Sequence, residues 1–133
     1  MTPTSSLRWG RIALGGFLPE LALILAVLPM RMAGSSDTAV NVVAIAGSFV
    51  LFVPVAWWLG RSLPRPVLHG LLMGVVATAI YLVLQLLATM FAPEPPVVPW
   101  FYYVGHALKL AGGAVGGWLA GRSTAATRTP AGV

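Results

Sequence analysis

Residues 66–91, PVLHGLLMGVVATAIYLVLQLLATMF, form a continuous stretch without Asp, Glu, Lys or Arg, and this stretch decides the class of fold. An apolar helix needs about 20 residues to cross a hydrocarbon core of about 30 Å. Lipid offers no hydrogen-bond partner to the backbone, so a spanning segment is a helix or part of a closed barrel. This run is too long for a barrel strand. It therefore predicts a transmembrane helix.

Three further apolar windows surround this stretch, at residues 11–30, 38–60 and 100–121. The connections at 31–37, 61–65 and 92–99 carry the Gly, Pro and Ser residues that end helices. With 58% hydrophobic and 8% charged residues, the chain is far from the composition of a soluble domain. We expect an all-α, integral membrane four-helix bundle over 11–121, made of two helical hairpins. Residues 1–10 would be an N-terminal cytoplasmic segment and 122–133 a flexible cytoplasmic tail.

The arginines of the connections predict the orientation. Arg31 shares one side of the membrane with Asp37 and Glu94, whereas six other arginines fall on the opposite side: Arg8, Arg11, Arg61, Arg65, Arg122 and Arg128. The positive-inside rule places the six in the cytoplasm. We therefore expect a multi-pass protein of the cytoplasmic (inner) membrane with both termini inside. Although the net charge is +5, the basic residues form no continuous stripe, so a lipid surface explains them better than nucleic acid.

A short internal repeat is consistent with this topology. Residues 57–62 read WWLGRS and residues 118–123 read WLAGRS, so in both a Trp lies three residues before Gly-Arg-Ser. The match indicates two hairpins related by a parallel repeat. A second interpretation is that any helix ending at the cytoplasmic surface collects Trp, Gly and Arg.

Small residues predict how the helices pack. Close backbone approach through glycine drives association in lipid, and eight glycines are the candidate packing residues: Gly15, Gly16, Gly70, Gly74, Gly112, Gly113, Gly116 and Gly117. The glycines of the fourth span cover more than one face, so this span is expected to touch two neighbours, or one neighbour and a partner subunit. Pro19 and Pro54 lie inside spans and are expected to kink them.

Glu20 and Lys109 are the most informative polar residues. Each lies near the middle of a span, where an isolated charge costs roughly 3 to more than 10 kcal/mol. A lysine stem easily covers the difference between their depths, so we expect the two to meet inside the bundle and neutralise each other. The pair could fix helix register or form a proton or substrate site, and Lys109 could instead snorkel away from Glu20.

His106 shares a helix face with Lys109 and could extend an intramembrane polar cluster of Glu20, Lys109 and His106. His69 lies one turn after Arg65, where a solvated histidine is expected. Two histidines could also ligate a chlorophyll-type pigment or a haem iron, but no motif accompanies either. The chain has no cysteine and no catalytic or phosphate-binding motif. We expect no catalytic residue, no metal, no cofactor and no enzymatic activity.

Residues 14–20, Leu-Gly-Gly-Phe-Leu-Pro-Glu, resemble the first helix of the small multidrug resistance transporters. Those are four-helix proteins of similar length in which a membrane-embedded Glu follows a glycine-rich stretch. The resemblance implies that Glu20 is a site where protons and cationic drugs compete. The chain departs from that family in three ways. Its third span lacks the family's Trp-and-Gly motif, Lys109 would repel a cation, and the arginine bias does not fit dual topology.

These features favour a non-enzymatic membrane subunit, an accessory or scaffold protein that packs against a larger membrane protein complex. The alternative is a small oligomeric proton-coupled transporter that uses Glu20 and Lys109. Four short helices enclose little space, so a transport path would need at least a dimer. The expected partners are the lipid bilayer and a larger complex or a second copy of the chain, with no nucleic acid.

Overall fold

The computed structural model describes residues 6–91 and 99–126. Within these ranges the chain forms five helices: α1 (Trp9–Met32), α2 (Asp37–Val50), α3 (Phe52–Gly60), α4 (Pro66–Phe91) and α5 (Phe101–Ala126). The all-α class is confirmed. The apolar window at 66–91 coincides with α4, and the other helices begin or end within a few residues of the expected limits.

Three helical segments are long and apolar enough to cross a membrane. They are α1, α4 and the continuous stretch of α2 and α3, with mean hydropathies of 2.0, 2.3 and 2.2. α5 is as long as α4, at 26 residues, but Lys109 and its many glycines lower its mean hydropathy. The structure is therefore that of a membrane protein with three evident spanning helices.

The second apolar window is divided at Leu51, three residues before Pro54. Proline has no N–H and cannot donate to the carbonyl four residues earlier, which here belongs to Val50. Leu51 keeps helical dihedral angles, φ −76° and ψ −31°, so α3 continues α2 after a local interruption. At Pro19, by contrast, α1 runs on without a break.

The helices are arranged in a ring in which α1 and α5 lie diagonally opposite each other. α1 packs against α2 and α4, and α5 packs against α4 and against α2 with α3. Among the described residues, no Cα of α1 comes within 8 Å of a Cα of α5, and the same holds for α2 and α4. The backbones of α1 and α5, and those of α2 and α4, therefore do not approach each other.

Hydrogen bonds bring the helix ends together in pairs. The Arg11 guanidinium donates to the carbonyl of Leu59, at 3.3 Å, and to the hydroxyl of Ser62. At the other end Arg31 donates to Asp37 at 3.1 Å. We refer below to the arginine-rich end, which carries Arg8, Arg11, Arg61, Arg65 and Arg122, and to the opposite end, which carries Arg31 and Asp37.

All eight candidate packing glycines are buried. A side chain at Gly70 would overlap the backbone of Gly113 on α5, and a Cβ at Gly112 would lie 2.8 Å from the carbonyl oxygen of Phe49 on α2. Gly16 faces α4, where a Cβ would lie 2.8 Å from the carbonyl oxygen of Met73. These eight glycines therefore pack against other helices of the same bundle, and none of them is available to a partner subunit.

The expectation that residues 122–133 form a flexible tail is wrong for residues 122–126, because α5 continues to Ala126. The hydroxyls of Ser123 and Thr124 each donate at 2.9 Å to a carbonyl one turn earlier, on Leu119 and Ala120. Ser123 also accepts from the indole N–H of Trp57 at 3.2 Å. The bond from Trp57 fastens the last turn of α5 to α3. Residues 127–133 lie outside the described residues.

Candidate functional site

A buried ion pair joins the two helices that lie on one diagonal. The Lys109 Nζ donates to the Glu20 Oε2 at 2.6 Å, and each side chain is 3% exposed. The backbones of α1 and α5 do not approach each other, so the two side chains cross the centre of the bundle. The expected contact between Glu20 and Lys109 is therefore present, and neither residue snorkels to a surface.

The sequence around Glu20 explains its direction. Glu20 follows Pro19 on the buried face of α1, which also carries Ile12, Gly15, Gly16 and Leu23. The residues of this face recur at helical spacing, and the glycines allow α1 to approach α4 closely. Glu20 shares this face, so its carboxylate points into the bundle and not into lipid.

Lys109 is placed by the crossing of α4 and α5. A Cβ at Gly74 would lie 2.9 Å from both the Lys109 carbonyl oxygen and the Leu110 Cα. The absence of a side chain at Gly74 thus lets the α5 backbone lie directly on α4. Lys109 is 2% exposed in this position.

Tyr81 of α4 completes the surroundings of the ammonium group and is not among the site residues predicted from the sequence. The Lys109 Nζ lies 5.2 Å from the centre of the Tyr81 ring, within the range of a cation–π interaction. The ring also lies 4.7 Å from that of His106 and 5.8 Å from that of Tyr102. A tyrosine in the middle part of an apolar span, near the depth of Lys109, is the signal that could have identified it.

His106 lies beside the ion pair but is not bonded to either member. Within the described residues its Nδ1 is buried and has no hydrogen-bond partner. The expected cluster of three is therefore a bonded pair with His106 behind the Tyr81 ring. A buried ring nitrogen without a partner is a group that a bound ligand or water could satisfy.

A cavity of about 310 Å³ opens between the helices on the side of the pair that faces the opposite end. It exists because α2 and α4 do not contact each other there, and it reaches from Glu20 at one limit to Arg31 at the other. Most of the wall is aliphatic or aromatic. Eight polar side chains also line it: Glu20, Arg31, Asn41, Ser48, Tyr81, Gln85, Tyr102 and His106.

His69 is not solvated, so that expectation was wrong. The ring is 0% exposed, its Nε2 accepts from the Arg8 backbone N–H at 3.3 Å, and its Nδ1 lies 2.8 Å from the Arg65 carbonyl oxygen. A backbone N–H can only donate and a carbonyl can only accept, so the proton is on Nδ1. Because both ring nitrogens are used, His69 ties the start of α1 to the start of α4 and offers no lone pair to a metal.

The site is thus a carboxylate that is neutralised by Lys109 and forms part of the wall of a mostly apolar cavity. The cavity is lined by Glu20 and not by Lys109, so an entering molecule would meet the carboxylate first. Among the described residues, no three His, Cys, Asp or Glu side chains lie close enough together to hold a metal ion.

No known family, curated protein or solved structure shows significant similarity to this chain. The resemblance to small multidrug resistance transporters therefore stays confined to residues 14–20.

Proposed function

We propose that this protein is a four-span protein of the cytoplasmic membrane with both termini in the cytoplasm. At 1.5 Å per residue the 26 residues of α5 extend about 39 Å, more than the hydrocarbon core of about 30 Å. α5 contacts α2, α3 and α4, and its lysine is neutralised, so its lower hydropathy does not prevent it from crossing. The unbalanced arginines of the arginine-rich end favour the cytoplasmic side for that end.

In this membrane we propose a non-enzymatic role, that of a subunit or scaffold that packs α5 against a helix of another membrane protein or of a second copy. This proposal rests on a third face of α5, in addition to the one that packs against α4 and the one that packs against α2 and α3. Val104, Ala107 and Ala111 are all exposed and follow one another at helical spacing.

The composition of this free face of α5 suits helix packing. Ala107 and Ala111 form a small-xxx-small pair, which lets two backbones approach closely in lipid. Both are exposed, so the bundle does not use this pair. The Glu20–Lys109 bond fits the same role, because it holds α5 at one register against α1 while leaving its outer face available.

A matched pair of variants tests the proposal. Ala111→Leu adds bulk to the free face of α5, and Ala79→Leu makes the same change at an exposed position of α4. In mild detergent we expect the wild type and Ala79→Leu to purify in an assembly heavier than one chain, and Ala111→Leu to purify without it. A wild type that is a single chain, or an Ala111→Leu variant that keeps the assembly, would contradict this role.

The cavity favours a second candidate, a small proton-coupled transporter with Glu20 as the residue that exchanges a proton for substrate. A membrane-embedded carboxylate in the wall of a cavity is the expected arrangement for such a site. The test is Glu20→Gln in vesicles that carry a pH-sensitive dye, with small amphiphilic compounds added outside. Substrate-dependent proton movement that disappears in Glu20→Gln, with the assembly intact, supports transport. Proton movement that is equal in both proteins contradicts it.

A further inference from the structure

The two copies of the short repeat make the same contact in the structure. The Arg61 guanidinium lies 4.3 Å from the centre of the Trp57 ring, and the Arg122 guanidinium lies 4.5 Å from that of Trp118. In each case the arginine follows the tryptophan by four residues, so that one helical turn stacks the two side chains. We name these the two Trp–Arg pairs.

The two Trp–Arg pairs lie on neighbouring helices and at the same level. A Cβ at Gly116 of α5 would lie 2.8 Å from the Ala56 Cβ of α3, and one at Gly60 would lie 3.0 Å from the Ala120 Cβ. Trp57 donates to Ser123, the residue next to Arg122, at 3.2 Å. The end of α3 and the last turns of α5 therefore carry the two pairs at the same level of the bundle.

No carboxylate of the described chain balances these two arginines. Glu20 is bound to Lys109 in the bundle interior, and Asp37 is bound to Arg31 at the opposite end. Stacking on an indole occupies the face of a guanidinium and leaves the N–H groups of its edge directed outward. Those groups match the oxygens of a phosphate, which can accept two parallel bonds from one arginine.

We infer that each Trp–Arg pair binds the phosphate of an anionic phospholipid headgroup. The surface around them identifies the source as a lipid. Trp118 is 50% exposed and Trp58 55% exposed, and Val115, one turn before Trp118, is exposed as well. A ligand that fits must offer negative charge at the level of the arginines and apolar surface immediately below it. Basic pockets between spanning helices take lipid headgroups in this way.

The experiment uses the full chain in mild detergent with equal amounts of phosphatidylglycerol and phosphatidylcholine. Native mass spectrometry counts the lipids that stay bound. The test variant is Arg61→Gln with Arg122→Gln. Its control is Arg8→Gln with Arg65→Gln, which removes the same charge from the same end. Helix content by circular dichroism shows whether each variant is folded.

We expect the wild type to retain phosphatidylglycerol in preference to phosphatidylcholine. Loss of each arginine of the Trp–Arg pairs should weaken phosphatidylglycerol binding about fivefold, and loss of both about thirtyfold. The control double variant, whose arginines belong to neither pair, should weaken it less. Equal retention of both lipids by the wild type, or an equal loss in the two double variants, would overturn the inference. Displacement of phosphatidylglycerol by excess inorganic phosphate would also overturn it, since the site would then take a soluble anion.

Discussion

Removing one member of the Glu20–Lys109 pair is the most demanding test of the bundle. Lys109→Met keeps the length and apolar stem of the side chain but leaves the Glu20 carboxylate without its partner. Both side chains are 3% exposed, so water does not replace the lost bond. Breaking a fully buried pair costs about 3–5 kcal/mol, and we expect Lys109→Met and Glu20→Gln each to lose stability in this range.

The double variant, Glu20→Gln with Lys109→Met, tests whether the loss of stability comes from leaving one charge unpaired. It buries no charge, and a buried amide without a partner costs less than a buried charge without a partner. We therefore expect it to recover most of the loss caused by either single change. The pair Arg31 and Asp37 is the control, because its side chains are 49% and 84% exposed, and its removal should cost about 0–1 kcal/mol.

The measurement is the free energy of unfolding from titration with a denaturing detergent, followed by far-ultraviolet circular dichroism. The coupling energy between the two positions comes from the four proteins of the double-mutant cycle. Two results would refute the reasoning. One is a Lys109→Met variant as stable as the wild type, and the other is a double variant whose loss equals the sum of the two single losses.

Three further expectations concern packing and the surroundings of the site. Gly70→Ala places a methyl group against the backbone of Gly113 and should lower the free energy of unfolding by about 1–3 kcal/mol. The control is Gly10→Ala, whose methyl group meets nothing within 4 Å. An equal loss in Gly10→Ala would show that the close approach of α4 and α5 at Gly70 does not cause the loss. His69→Leu should cost about 1–3 kcal/mol, seen in the same titration, because it leaves the Arg8 backbone N–H without its acceptor. The Arg65 carbonyl keeps the backbone N–H of residue 69 as a donor. An unchanged midpoint would show that the Arg8–His69 bond is not needed. Tyr81→Leu removes the ring beside the ammonium group and should cost about 1–2 kcal/mol, whereas Tyr81→Phe should keep wild-type stability; similar losses in both variants would assign the effect to the hydroxyl.

The helix limits follow from the sequence because glycine, proline and serine end apolar runs. The segment at 61–65 separates α3 from α4 in the structure as its composition indicates. The meeting of Glu20 and Lys109 also follows, since hydrocarbon tolerates no lone charge and the chain offers each of them one partner at a similar depth. These inferences need only the solvent properties of the bilayer.

The cavity and Tyr81 do not follow from the sequence. They depend on which helices lie on the diagonals of the ring, and a membrane helix that is apolar on every face gives no sign of its neighbours. The burial of His69 does not follow from the sequence for a related reason. The position of His69 near the end of a span predicts contact with water, but the start of α1 covers the ring. Nothing in the local sequence shows which distant segment will cover a given residue.

The diagonal position of α1 and α5 has a consequence for how the chain matures. Of the five helices, α1 is synthesised first and α5 last, and 89 residues separate the acid of the one from the base of the other. Through most of translation the acid therefore enters the bilayer with no counter-charge. Only when the final segment inserts does the interior become electrically balanced. A polypeptide cut short before Lys109 would keep an exposed acidic defect in lipid, a feature by which quality-control proteases could distinguish incomplete chains from finished ones.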